Sequence, residues 1–256
     1  MLRSAALVRA WVTMAWVGCL GCATAGDPAC VTIPAFEGEW RTGAAPTVTL
    51  KVGADVAGQV WAAWDTNAIH LRYRIYDRSP LRNGGDDWQM LFKTGDSVDL
   101  QIGLDTDAAP GRTDPAPGDV RVLMARTRNG PVVVAYRYRL PGTETPVFFG
   151  SPMGRVDVDR VERLGDAAPQ IQVLEDGYVF EVTLRWATLA GRSIVPRPGM
   201  AFRGDFGVLF SDPDGGITVE RIYWSDRNTS VVADVPSEIR LVPAAWGKLV
   251  LGAPGL

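Results

Sequence analysis

Histidine and cysteine are both scarce in this sequence. His70 is the single histidine among 256 residues, so a serine–histidine–acid triad could be built only around it, and no Gly-x-Ser-x-Gly nucleophile motif occurs. Two of the three cysteines, Cys19 and Cys22, lie in an apolar N-terminal stretch. A zinc site needs three or four histidine, cysteine or carboxylate ligands. The sequence therefore argues against histidine-dependent catalysis and against a zinc centre.

Basic runs are absent as well. The formal net charge is −3, and no cluster of lysine and arginine is arranged to follow a phosphate backbone, which argues against nucleic acid as a partner. The 29 acidic residues offer many carboxylate pairs of the kind that hydrolyse glycosides, but their abundance alone supports no particular pair. We therefore expect a protein that is not an enzyme.

The N-terminal segment has the pattern of an export signal. A short basic start precedes an uncharged apolar stretch over residues 10–20, which is shorter than the roughly 20 residues of a membrane-spanning helix. Small residues at the −3 and −1 positions predict a signal peptide over residues 1–25, with cleavage before Gly26. Lipid attachment at Cys19 or Cys22 is the alternative. Either route predicts an exported chain that is periplasmic, at the cell surface or secreted.

The dominant period of the hydrophobic residues is two, which is typical of strands with one buried and one wetted face. Turn residues separate these segments, and the only helical pattern is one turn at 186–190. We therefore predict an all-β fold, a two-sheet antiparallel β-sandwich of jelly-roll or immunoglobulin type, in which residues 26–256 form one domain. The strand segments are 47–52, 69–75, 98–103, 132–139 and 178–185, followed by the candidates 58–64, 119–126, 204–211, 217–224 and 246–251.

Five short stretches stand in a characteristic order: 61–65 (WAAWD), 95–100 (GDSVDL), 177–181 (GYVFE), 223–226 (YWSD) and 246–251 (WGKLVL). Together they resemble the motifs of family 9 carbohydrate-binding modules and of the broader group of DOMON-like sandwiches. The resemblance covers about residues 45–251. It implies a non-catalytic domain that binds a polysaccharide or an oligosaccharide.

The resemblance also implies a sugar site. In the family an acid, an arginine and two tryptophans hold the ligand, and the matching positions are Asp99, Arg121 and, more loosely, Trp88. Gln101 lies on the same side of its strand as Asp99, and these two and Arg121 stand opposite hydrophobic neighbours, so we expect all three on a wetted face. Such groups suit sugar hydroxyls. The sequence departs from the family at the second stacking tryptophan, where valines stand at 231–232.

Two aspartate-rich turns favour structural calcium, which related modules carry. Asp105 lies close to Asp107, and Asp212 lies close to Asp214, so each turn offers two carboxylates to a cation that prefers oxygen ligands. Neither turn has the spacing of an EF-hand. The sequence indicates no other cofactor.

Two other functions stay open. Some DOMON-like sandwiches bind haem b and transfer electrons, with methionine and either histidine or lysine as axial ligands. The second is a scaffold or adhesion role in the cell envelope without a small ligand, which the missing second tryptophan favours. Spacing singles out no pair among the candidate haem ligands Met90, Met124, Met153, Met200, His70, Lys51, Lys93 and Lys248.

Overall fold

Strands make up most of the regular structure in the computed structural model, which describes residues 29–227 and 234–254. The predicted signal peptide over 1–25 and the valines at 231–232 lie outside the described residues. In chain order the strands are β1 Cys30–Ile33, β2 Val48–Val52, β3 Asp55–Trp64, β4 Ala68–Tyr76, β5 Ser97–Gly103, β6 Asp119–Thr127, β7 Gly130–Arg137, β8 Val147–Ser151, β9 Gly154–Val158, β10 Arg160–Arg163, β11 Gln170–Leu174, β12 Gly177–Arg185, β13 Ala201–Ser211, β14 Thr218–Tyr223 and β15 Gly247–Leu251.

The strands form two main sheets. The larger has the order β1-β15-β13-β5-β6-β7-β10, with β14 also paired to β13, and the smaller has the order β11-β12-β4-β3-β2. A separate hairpin joins β8 and β9. The pair β1–β15 is parallel, and the neighbouring pairs within both sheets are antiparallel. The predicted all-β sandwich is confirmed, and a strand is present at each of the ten predicted segments.

The main core lies between the two sheets. Leu71 and Tyr73 of β4 face the larger sheet, where Leu100 and Val122 are also fully buried. The Tyr73 hydroxyl donates to the backbone oxygen of Asp99 at 2.8 Å, which ties the two layers together. Each buried aliphatic or aromatic side chain contributes roughly 1.5–3 kcal/mol, so this alternating pattern is the main source of stability.

A second layer covers the outer face of the larger sheet. Phe92, Leu123, Phe149, Ile239 and Trp246 form a separate buried cluster there. The covering elements are the hairpin β8–β9, the 3₁₀ turns Trp88–Met90 and Pro243–Ala245 and the helix α2 Val235–Ile239. As a result, every residue of β5 is buried, on both faces of the strand.

The two α-helices among the described residues are short, and each is capped at one end. The predicted helical turn at 186–190 is present as α1 Trp186–Ala190, and it ends at Gly191, whose φ of 63° suits the left-handed cap. In α2, Asp234 caps the first turn by accepting from Ser237 N at 3.1 Å. Over residues 29–227 and 234–254, no helix has the length and apolarity needed to cross a membrane.

Candidate functional site

The predicted sugar-binding residues on β5 and β6 lie together. Gln101 on β5 is the register partner of Arg121 on β6. Arg121 Nε donates to Asp99 Oδ2 at 2.8 Å, and Gln101 Nε2 lies 3.4 Å from the same oxygen. The Tyr223 hydroxyl donates to Asp99 Oδ2 at 2.6 Å and accepts from Arg121 Nη2 at 3.0 Å. Three of the four predicted residues therefore belong to one hydrogen-bonded cluster.

These residues face away from the main core, as expected, but the second layer buries them, so the expectation that this face is wetted is wrong. The relative exposures are 0% for Asp99, 9% for Gln101 and 1% for Arg121. The second layer covers them: Arg121 Nη1 donates to the Glu238 carbonyl oxygen of α2 at 2.7 Å, and Trp246 Nε1 donates to Gln101 Oε1 at 2.8 Å. In this conformation the cluster is closed to a ligand from solvent.

The ion pair between Asp99 and Arg121 is a structural contact. Burial by itself would lower the pKa of Arg121, but the facing Asp99 carboxylate raises it above its usual value, so the guanidinium stays charged. Removing one partner of such a pair leaves the other charge uncompensated in the interior. The pair therefore holds β5, β6, β14 and α2 in place.

Trp88, the fourth predicted residue, begins the 3₁₀ turn Trp88–Met90. It is partly buried against the second core cluster, and the Arg163 guanidinium lies 5.4 Å from its ring centroid. Within the described part of the chain, no hydrogen bond or ring contact links Trp88 to Asp99 or Arg121. Its role as a stacking platform for a sugar stays a prediction.

The two aspartate-rich turns lie at opposite ends of the larger sheet, because Asp105 follows β5, Asp212 follows β13, and these strands are antiparallel. Asp105 Oδ1 accepts from Asp107 N at 3.1 Å, and Asp212 Oδ1 accepts from a backbone N–H of its own turn at 2.7 Å. Among the described residues, no group of three or more His, Cys, Asp or Glu side chains could hold a metal ion. Calcium at Asp105 and Asp107 or at Asp212 and Asp214 stays a prediction, which calcium titration followed by thermal unfolding would test.

His70, the only histidine available as a haem ligand, has both ring nitrogens engaged. Nδ1 lies 3.0 Å from Thr183 Oγ1, and Nε2 lies 2.9 Å from Asp65 Oδ2. The Phe36 ring stacks on the imidazole with a centroid separation of 3.9 Å. Met124, one of the candidate partners, is fully buried in the main core. The haem alternative gains no support from this arrangement.

An open groove of about 740 Å³ that the sequence did not predict lies on the outer face of the smaller sheet. The segment 34–45 crosses this face and forms one wall. The ring of Trp40 lies over Arg72, whose guanidinium carbon is 5.3 Å from the ring centroid. Trp61 Nε1 donates to the Ala44 carbonyl oxygen at 2.9 Å, which fastens the end of the segment. The volume is within the range of ligand sites.

The floor of this groove is a row of polar side chains from neighbouring strands. The strand register places Arg72 of β4 beside Glu181 of β12, and Glu181 beside Gln170 of β11. Arg72 Nη2 and Glu181 Oε1 are 2.6 Å apart, and each side chain is 35% exposed. Gln170 is exposed and makes no side-chain hydrogen bond to the described residues. The floor therefore offers guanidinium, carboxylate and amide groups to a ligand.

Trp40 adds an aromatic face to these polar groups. It is half-buried, and its indole N–H donates to no group in the described part of the chain. Glu39 lies next to it on the wall of the groove and is exposed. An aromatic ring can pack against the apolar face of a sugar, while carboxylate, amide and guanidinium groups bond its hydroxyls. The groove combines both kinds of contact.

Sequence reasoning missed this groove because the segment 34–45 has no strand period. The available signal was the position of Trp40 between Glu39 and Arg41, close to Gly38 and outside every predicted strand. A tryptophan in a polar loop is a better candidate for ligand contact than one on an alternating strand.

The comparisons with known proteins concern the fold. No protein-family model and no curated sequence matches the chain. One similar solved structure is a family 9 carbohydrate-binding module from Caldicellulosiruptor kristjanssonii in complex with cellotriose. It has 14% identity and a TM-score of 0.53, and the match covers 88% of this chain and 94% of that one. A second solved structure, of a family 9 module from the same organism in complex with glucose, has 15% identity and a TM-score of 0.50, and the match covers 88% of this chain and 97% of that one.

These matches confirm the predicted resemblance to family 9 modules at the level of the fold, whereas nothing confirms its DOMON-like part. The groove beside Trp40 lies on the outer face of the smaller sheet, and the closed cluster of Asp99 and Arg121 lies on the outer face of the larger sheet. The chain has the β-sandwich fold of the family 9 carbohydrate-binding modules.

Proposed function

We propose that this chain is a non-catalytic carbohydrate-binding protein and that the glycan lies in the groove beside Trp40. The observation that carries the proposal is the half-buried Trp40 ring, whose indole N–H has no partner among the described residues, beside the row of Arg72, Glu181 and Gln170. A pocket with an aromatic wall and a few convergent polar groups is the usual form of a small-ligand site.

An oligosaccharide fits this groove better than a single sugar. The polar row extends from β4 across β12 to β11, which is two strand spacings or about 10 Å. Trp40 stands at the β4 end of the row, so a ligand stacked on its ring extends toward Gln170 on β11. The fold supports this proposal, since family 9 modules have been solved in complex with cellotriose and glucose.

Binding without hydrolysis is proposed because the carboxylate in the floor is already engaged by a neighbouring side chain. A glycosidase needs two carboxyl groups that flank the scissile bond, one of which protonates the leaving group. The Glu181 carboxylate is instead ion-paired with Arg72 at 2.6 Å. The groove is therefore suited to holding a glycan and not to cleaving it.

A glycan-array screen of the full chain, with and without calcium, tests the function, and two tryptophan variants then locate the site. We expect Trp40→Ala to weaken binding by about tenfold or more, because it removes the aromatic wall of the groove. Trp88→Ala is the matched control, since Trp88 is also half-buried but lies on the other sheet. Loss of binding in Trp88→Ala alone would move the site to the 3₁₀ turn, and a blank array would contradict the function.

Export by the N-terminal segment is part of the proposal, because it would bring the protein to an extracellular or envelope glycan. Mass spectrometry of the mature N-terminus separates the routes. A chain that begins at Gly26 supports cleavage of a signal peptide, and a lipid on Cys19 or Cys22 supports an anchor. An uncut chain in the cytoplasm would reject export.

A further inference from the structure

An open cavity of about 570 Å³ lies at the edge of the sandwich and shares no lining residue with the groove beside Trp40. Three segments and Val173 of β11 form it, and the segments are the loop 80–84 after β4, the end of β6 at 126–128, and the turn between β13 and β14 at 214–215. An isolated bridge between Asn83 and Thr127 joins the first two segments.

Arginine dominates the charge of this cavity. Arg82, Arg126 and Arg128 line it, and Asp214 is the one acidic residue among the lining residues. Within the described part of the chain, the Arg126 side chain has no hydrogen bond or ion pair, and the head group of Arg82 reaches only the Asp214 carbonyl oxygen, at 3.5 Å. Arg128 pairs with Asp86 at 3.2 Å, but both side chains are more than half exposed, so this pair holds it weakly. A chain with net charge −3 thus has a local excess of positive charge here.

The rim of the cavity is fixed by buried contacts. Asp96 is fully buried and accepts from Arg82 N at 2.8 Å and from Ser211 N at 2.6 Å. The Asn83 side chain donates to the backbone oxygen of Asp96 at 3.1 Å. A Cβ at Gly215 would lie 2.3 Å from the Arg82 Cβ, so only glycine lets this turn pack against the arginine stem. The backbone and the stem of Arg82 are therefore held in place by the fold, beside the cavity.

We propose that this cavity binds an oxyanion group, a carboxylate or a sulfate, carried by an acidic saccharide. A guanidinium presents a planar fork of N–H donors that matches two oxygens of such a group. Leu81 and the exposed Val173 give the wall apolar surface for the carbon skeleton. This oxyanion site is separate from the groove beside Trp40, where the lining arginine Arg72 is ion-paired with Glu181.

Calorimetric titration of the full chain tests this site with four probes: trigalacturonate, inorganic sulfate, inorganic phosphate and neutral cellotriose. We expect saturable binding of trigalacturonate that weakens as salt is added. Arg82→Gln and Arg126→Gln should each weaken it by about tenfold, the loss of one charge-assisted contact. Asp214→Asn should tighten it, because it removes the opposing carboxylate. Arg192→Gln removes the same charge from an exposed loop outside the cavity and serves as the control.

The outcomes are distinct. Equal affinities of Arg126→Gln and Arg192→Gln for trigalacturonate would overturn the proposal. An unmodified protein that binds neither trigalacturonate nor the inorganic anions would overturn it as well. Binding of sulfate and phosphate alone would support the oxyanion pocket and assign it to a free anion. Trp40→Ala should leave anion binding unchanged, so failure of the carbohydrate groove and failure of this site are told apart.

Discussion

Removal of the Asp99 carboxylate should destabilise the whole sandwich. In Asp99→Ala, the Arg121 guanidinium keeps its charge but loses the oxygen 2.8 Å from Nε, while it remains 1% exposed. The hydroxyl of Tyr223, which donates to the same carboxylate at 2.6 Å, also loses its acceptor. Both groups are buried, and α2 covers Arg121 through the Glu238 carbonyl oxygen.

The expected magnitude follows from the burial of the pair. Breaking a buried ion pair by removing one partner costs about 3–5 kcal/mol. For a chain of this size each kcal/mol corresponds to roughly 2–4 °C in melting temperature, so Asp99→Ala should melt roughly 6–20 °C below the unmodified protein. The double variant Asp99→Ala/Arg121→Met should lose less than the sum of the two single changes, because it also removes the stranded charge.

Urea unfolding and thermal melts measure this directly, with Asp157→Ala as the control. Asp157 pairs with Arg155 at 2.6 Å, but the side chains are 42% and 58% exposed, so its loss should cost less than about 1 kcal/mol. A melting temperature of Asp99→Ala equal to that of the control, together with loss of sugar binding, would refute the reasoning. The pair would then be an open ligand site and not a closed structural contact.

Two further predictions concern buried positions on β13. Burial raises the pKa of Asp205 to about 7, despite backbone hydrogen bonds that lower it, so the folded chain holds a proton that the unfolded chain releases between about pH 4 and 7. The free energy of unfolding should therefore fall as pH rises through that window. In urea unfolding at several pH values, Asp205→Asn should show a shallower fall than the unmodified protein. An equal dependence on pH in the two proteins would contradict this assignment to Asp205. Gly207→Ala should cost about 1–3 kcal/mol, since the new Cβ would lie 2.5 Å from the fixed ring of Tyr223. Gly165→Ala, which meets open space, should melt like the unmodified protein if this clash is the cause.

The sandwich was predictable because most of its strands alternate. In β4 and β12 the hydrophobic side chains fall on every second residue and face the main core. The sequence therefore predicts both strands and the face of each strand that is buried. The missed strands lack this pattern: β9 carries one buried residue and β11 carries none. These strands lie in a separate hairpin or at a sheet edge, where little side-chain burial constrains the sequence.

The second layer could not be predicted from the sequence, and neither could the burial of the expected sugar-binding residues beneath it. The helix α2 has five residues and Pro236 in its first turn, so it is too short to show a helical period. Its carbonyl group at Glu238 nevertheless covers Arg121. A charged residue that alternates with hydrophobic ones indicates a wetted strand face only when nothing packs over that face. Juxtaposition of Asp99, Gln101 and Arg121 could therefore be predicted, whereas their burial could not.

The most direct test of the carbohydrate groove is the indole N–H resonance of Trp40, followed by NMR during titration with an oligosaccharide that the glycan array identifies. The resonance is assigned by its loss in Trp40→Ala. Because the Trp40 ring forms the wall of the groove, we predict that this signal shifts in a saturable way while the Trp88 indole signal stays in place. A bound oligosaccharide that leaves the Trp40 resonance unchanged would contradict the groove as the binding site.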